Sequence, residues 1–159
     1  MQLEPENAFY RFKLAGAYVQ MRQCAEAIGQ LEQAVSVRPK DAFYRFELAG
    51  LYAEARRDTE AVREMEYAVA LSPEDDYYVS WLGMLYARTG LLERAADMYR
   101  EAARIDPERL AYRLLLADMY YSMDLEERAE AEYASAARID YYDAEFVLRV
   151  RKFMLGGAW

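Results

Sequence analysis

A pattern that returns at a fixed spacing of 34 residues constrains this chain more than any other feature. Leu48-Ala49-Gly50-Leu51-Tyr52 is followed by Ala61, Ala68 and Pro73. One period earlier stand Leu14-Ala15-Gly16-Ala17-Tyr18, then Ala27, Ala34 and Pro39. One period later come Leu82-Gly83-Met84-Leu85-Tyr86, Ala95, Ala102 and Pro107. Leu116-Ala117-Asp118-Met119-Tyr120, Ala129 and Ala136 complete the series, with Tyr141 in the proline's place. A chain of this kind builds an array of like units, each stacked on the next because none can bury its apolar face alone.

Within each unit the apolar residues recur at helical spacing, as in Leu48, Leu51 and Tyr52, then Ala61, Met65, Ala68 and Val69. The pattern predicts helices at roughly 8–21 and 24–37, 42–55 and 58–71, 76–89 and 92–105, 110–123 and 126–139, with a last one at about 143–155. Asp58 and Asp124 are expected as N-caps of second helices, Asp124 and Glu127 having the capping-box spacing. Pro39, Pro73 and Pro107 should stop those helices. Ala15, Ala49, Gly83 and Ala117 are expected to face Ala27, Ala61, Ala95 and Ala129, small residues that let paired helices approach closely. Tyr18, Tyr52, Tyr86 and Tyr120 read as core aromatics, and Glu64 as a residue on the exposed side of its helix.

This skeleton resembles the tetratricopeptide repeat over residues 8–143. The resemblance implies an all-α fold, a right-handed α-α superhelix (solenoid) of helix-turn-helix units. The repeats would be 8–41, 42–75, 76–109 and 110–143, forming one domain with a C-terminal capping helix in 144–159. Residues 1–7 would be the end of a preceding repeat or an N-terminal extension, since Leu3-Glu4-Pro5-Glu6-Asn7 matches Leu71-Ser72-Pro73-Glu74-Asp75. Two family features are missing. The tryptophan near the start of the first helix gives way to Arg11, Arg45, Val79 and Arg113, beside Tyr10, Tyr44, Tyr78 and Tyr112, and one aromatic of that row is expected to take over its packing. The turn glycine survives only as Gly90, with Arg22, Arg56 and Asp124 at the other three turns.

Composition excludes much chemistry. The chain has no histidine, so it lacks Ser-His-Asp, Cys-His and His-ligated zinc sites. Glu126-Glu127 and Glu130 with Glu132 read as solvated helix surface rather than acid–base pairs. Neither a Walker loop nor a GxGxxG motif occurs, and Gly156-Gly157 reads as a helix stop. No catalytic residue, metal ligand or cofactor site is expected. A formal charge of −8 lacks the cationic footprint of nucleic-acid binding or of an anionic membrane surface. No apolar run approaches the ~20 residues of a membrane span, and no signal-peptide pattern opens the chain. Cys24 stands alone, leaving the redox compartment open, and a cytoplasmic setting is the default expectation.

What remains is binding. In the family, the first helices line a concave face where ligand peptides lie. On that register the candidate peptide-binding residues are Phe9, Phe12, Gly16, Phe43, Phe46, Glu47, Gly50, Tyr77, Trp81, Met84, Asp118 and Tyr121. They would form one strip, aromatic enough to supply interface anchors. Phe12 and Phe46 could instead pack between adjacent first helices. Chaperone-binding relatives clamp a terminal carboxylate with lysine and asparagine; here Phe12, Gly16, Glu47, Tyr77 and Trp81 occupy those places. The expected function is a protein-interaction module or scaffold holding an apolar or amphipathic segment of a partner. The alternative is a structural element that self-associates or stacks on further repeats through open ends, the C-terminal one carrying Phe146, Val150, Phe153 and Trp159.

Overall fold

The computed structural model describes residues 7–139, which form eight α-helices and, among the described residues, no strand. These are α1 (Ala8–Gln20), α2 (Cys24–Val37), α3 (Ala42–Glu54), α4 (Asp58–Leu71), α5 (Asp76–Arg88), α6 (Leu92–Ile105), α7 (Leu110–Ser122) and α8 (Glu126–Ile139). The chain divides into two compact units, the first ending at Pro73 and the second beginning at Glu74. In the first, α1 packs on α2, α2 on α3 and α3 on α4. In the second, α5 packs on α6, α6 on α7 and α7 on α8. The helix expected at 143–155 lies outside the described residues, as do Tyr141, Phe146, Val150, Phe153 and Trp159.

The odd-numbered helices end one residue earlier than the periodicity predicts, and the reason is one turn used four times. Arg22, Arg56, Gly90 and Asp124 are left-handed, with φ of 58°, 60°, 79° and 58°. Each closes a Schellman motif. The amide two residues past the helix cap donates to the carbonyl of the repeat tyrosine: Gln23 to Tyr18, Arg57 to Tyr52, Leu91 to Tyr86 and Leu125 to Tyr120, at 2.8–2.9 Å. The left-handed residue donates to the carbonyl one position after that tyrosine. Only Gly90 takes this conformation without a Cβ penalty.

Caps fall elsewhere than the sequence suggests. Asn7, Asp41 and Asp75 cap α1, α3 and α5, accepting from the amides of Phe9, Phe43 and Tyr78 at 3.0–3.1 Å. Asp58 is the first residue inside α4, not its cap; its charge there complements the helix dipole. Asp124 is occupied as the left-handed turn residue, so it cannot cap α8. Pro39, Pro73 and Pro107 each follow the residue that caps α2, α4 and α6, where a continuing helix would need the N–H that proline lacks.

The seam between paired helices is lined by the small residues. Ala27, Ala61, Ala95 and Ala117 are wholly buried there, with Ala15, Ala49 and Ala129 close behind; Ala34, Ala68, Ala102 and Ala136, further along the even-numbered helices, are wholly buried as well. At Gly83 even a methyl group would stand 3.0 Å from the ring of buried Tyr99 and 3.2 Å from the Cβ of Met98.

Arginine, not an aromatic alone, fills the missing tryptophan's place. Arg45 pairs with Glu64 at 2.6 Å and Arg113 with Glu132 at 3.2 Å, each from one helix to the next within its unit. Arg11 makes the equivalent bonds to Gln30 and Gln33. Glu64 is therefore buried, not exposed as its polarity suggests: it lies three residues after Ala61, on the helix face turned to α3. Of the neighbouring tyrosines, Tyr44 and Tyr112 are buried, whereas Tyr78 is half-buried and Tyr10 is exposed.

The repeat tyrosines are core residues at positions 52, 86 and 120, and Tyr18 is half-buried. Within each unit one of these hydroxyls ties the second helix pair to the first. Tyr52 donates to Glu32 of α2 at 2.6 Å, and Arg100 of α6 donates to Tyr120 at 2.9 Å. Burial, then the bond to Glu32, pushes the Tyr52 phenol up to about 12.

Candidate peptide-binding surface

In the first unit the residues on the expected face come from α1 and α3, whose identical phase puts them in parallel rows. Phe9, Lys13, Gly16 and Gln20 form the row on α1, and Phe43, Glu47, Gly50 and Glu54 the row on α3. Phe9 and Phe43 are exposed large apolar residues. Phe12 is half-buried and packs edge-on to Phe43, with centroids 5.1 Å apart, and at 6.1 Å to Tyr44. It thus bridges adjacent odd-numbered helices while leaving part of its ring outward. Phe46 is half-buried. The Lys13 ammonium lies 5.3 Å from the Phe9 centroid and 5.6 Å from that of Phe12. A Cβ added at Gly16 or Gly50 would meet nothing within 4 Å, so open space lies beside these rings. Glu47 is half-buried, and desolvation raises its carboxyl above the ordinary 4.5.

In the second unit Tyr77 and Trp81 meet edge-on at 6.2 Å on α5, with Tyr77 exposed and Trp81 half-buried. Met84, one turn on, is exposed. On α7, Asp118 and Tyr121 are both half-buried. Asp118 accepts from the Tyr133 hydroxyl of α8 at 2.9 Å. Burial pushes its carboxyl up and that bond pulls it part-way back. The nearby charge adds to burial in raising Tyr99 to about 12.

Lys13, which the repeat register places on the expected face, and Tyr133, which it does not, also meet the candidate residues. Lys13 shares the position of Glu47 one period earlier, and Tyr133 stands where the first two units carry Leu31 and Met65. Among the described residues no group of acids and cysteine could hold a metal, and no helix is long and apolar enough to cross a membrane.

The tetratricopeptide repeat family model matches residues 12–76 and 60–109, together well over half the chain. The chain belongs to the tetratricopeptide repeat family. Solved structures agree on the fold. The crystal structure of MamA superposes with a TM-score of 0.80 at 20% identity, covering 89% of this chain and 83% of that one. MamA 41-end from Desulfovibrio magneticus RS-1 gives a TM-score of 0.75 at 18% identity, over 84% of this chain and 76% of its own. At such identities the likeness is one of fold. No curated protein sequence matches. The tetratricopeptide assignment makes the chain an all-α helical-repeat solenoid and, in general terms, a protein-interaction module.

Proposed function

We propose that the chain is a non-catalytic scaffold, built of repeats at 8–41, 42–75, 76–109 and 110–143, that holds an apolar or amphipathic segment of another protein on its odd-numbered helices. The observation that carries this is the first-unit surface: exposed Phe9 and Phe43, half-buried Phe12 and Phe46, and unfilled space at Gly16 and Gly50. Exposed rings beside open space give anchors somewhere to be buried on binding. Tyr77, Trp81 and Met84 offer a second set of apolar groups in the other unit. The test is affinity purification of a partner, followed by titration of its minimal segment. Phe43→Ala and Trp81→Ala should each weaken binding about tenfold or more without unfolding. Unchanged affinity in both folded variants would move the site off these helices.

A second reading rests on α1. The equivalent positions of α3 and α7 are buried: Tyr44 is 7% and Leu48 2% exposed, Tyr112 3% and Leu116 1%. On α1 their counterparts Tyr10 and Leu14 are 44% and 43% exposed, and Met21 lies on the same stripe, also exposed. In α3 and α7 this stripe turns toward the preceding helix pair, as the Tyr52–Glu32 and Tyr120–Arg100 bonds record. An apolar stripe left open on α1 favours association, with a second copy or with further repeats. Light scattering over a concentration series should show mass rising for the wild type and constant for Leu14→Glu. A constant monomer mass in both would exclude self-association through α1.

A further inference from the structure

We infer that the α1–α3 surface selects a peptide segment presenting a lysine or arginine beside a large apolar side chain, the cation going to Glu47 and the apolar group to the phenylalanines. This deepens the proposed interaction function and rests on it.

Glu47 is conspicuous among the half-buried carboxylates. Glu60 meets Arg57, Glu101 meets Arg104, Asp106 meets Arg109 and Glu132 meets Arg113, the buried Glu64 meets Arg45, and Asp41 and Asp75 cap helices. Asp118, the other half-buried acid on the expected face, accepts a tyrosine hydroxyl. Glu47 is half-buried as well, yet no cation or hydrogen-bond donor of the described residues reaches it, and desolvation alone raises its pKa. A carboxylate held this way is destabilised as an anion and gains most from an incoming positive charge.

Its surroundings fit an organic cation. Phe43 lies one helical turn before Glu47 and Gly50 one turn after, with open space at Gly50. The chain's own Lys13, one period before Glu47, places its ammonium over Phe9 and Phe12, so these rings already accept a cation at their faces. Lys13 is spent there and forms no ion pair with Glu47, leaving the carboxylate for a ligand.

Other ligand chemistries fit worse. A wholly apolar segment would desolvate Glu47 further with nothing in return. An acidic segment would meet Glu47 and Glu54 on one helix row, in a chain of net charge −8. A basic side chain flanking an apolar anchor satisfies both halves of the surface.

The test uses N-acetyl-phenylalanyl-lysine amide and its Nε-acetylated form, which has the same shape without the charge. Each is titrated into the 15N-labelled full chain while α1 and α3 amides are followed. The charged dipeptide should shift those amides and bind about fivefold or more tighter than the acetylated one. Glu47→Gln should erase that preference while leaving unfolding midpoints equal or higher, because it removes an uncompensated half-buried charge. Equal binding of the two dipeptides, or a preference that survives in Glu47→Gln, would overturn the cation site yet leave the apolar surface standing. No shift on α1 or α3 with either probe would overturn both.

Discussion

Glu64→Met on its own is expected to destabilise the chain by about 2–4 kcal/mol, and adding Arg45→Val is expected to recover most of the loss. The single change strands Arg45. Its side chain is 14% exposed and its NH1 lies 2.6 Å from a carboxylate that is itself 10% exposed, so the pair has little water to fall back on. Removing one member of a nearly buried pair leaves a charge whose desolvation is uncompensated, and that penalty exceeds the net worth of the pair. Two contacts would remain to Arg45, the Pro39 carbonyl at 2.9 Å and the Tyr67 ring at 4.6 Å, but neither supplies a counter-charge. The chain itself supplies the rescue. Counted by the repeat period, Arg45 and Glu64 correspond to Val79 and Met98 in the third repeat. There Val79 is 1% exposed and the charged pair has been exchanged for an apolar one. Urea unfolding of wild type, the two single variants and the double variant gives the cycle. A double variant as unstable as Glu64→Met would mean that the apolar solution does not transfer.

That exchange also shows what was legible in the sequence. Residues 19 apart change together: Arg11 with Gln30, Arg45 with Glu64, Val79 with Met98, Arg113 with Glu132. A reading that treats Glu64 as surface because it is acidic overlooks the helix phase, which sets it three residues from the fully buried Ala61. The positions of the eight described helices are readable to within a residue because proline and small residues fix them sterically. The left-handed turns were readable too, since Arg22, Arg56 and Asp124 align with Gly90. The caps were not. An aspartate near a helix start can cap it, sit in its first turn or take up the preceding turn, and only the backbone geometry decides among these. On the candidate surface, the period places each residue on its row but not the depth of its ring. Phe12 is half-buried because Phe43 and Tyr44 of the next odd-numbered helix meet it, a matter of inter-helix distance that no single row records.

Ala61→Leu is expected to lower stability by about 1–3 kcal/mol, whereas Ala70→Leu on the same helix should change it by less than about 0.5 kcal/mol. The contrast isolates packing from helix propensity, because both variants replace alanine with leucine within α4. Ala61 is 0% exposed, at the seam where α4 lies against α3, with buried Ala49 and Tyr52 on the facing helix. Ala70 is exposed, so added methyl groups there meet water. The corresponding seam in the second unit shows how little room such packing leaves: a single added methyl at Gly83 would come within 3.0 Å of Tyr99. Leucine at position 61 must push α3 and α4 apart or take a strained rotamer, and either loses dispersion contacts along the seam. Because Ala27, Ala95 and Ala129 occupy the same position in the other repeats, the penalty should recur at each of them. Denaturation midpoints decide the matter. If Ala61→Leu and Ala70→Leu unfold together at the wild-type midpoint, the small residues are not what holds the paired helices close.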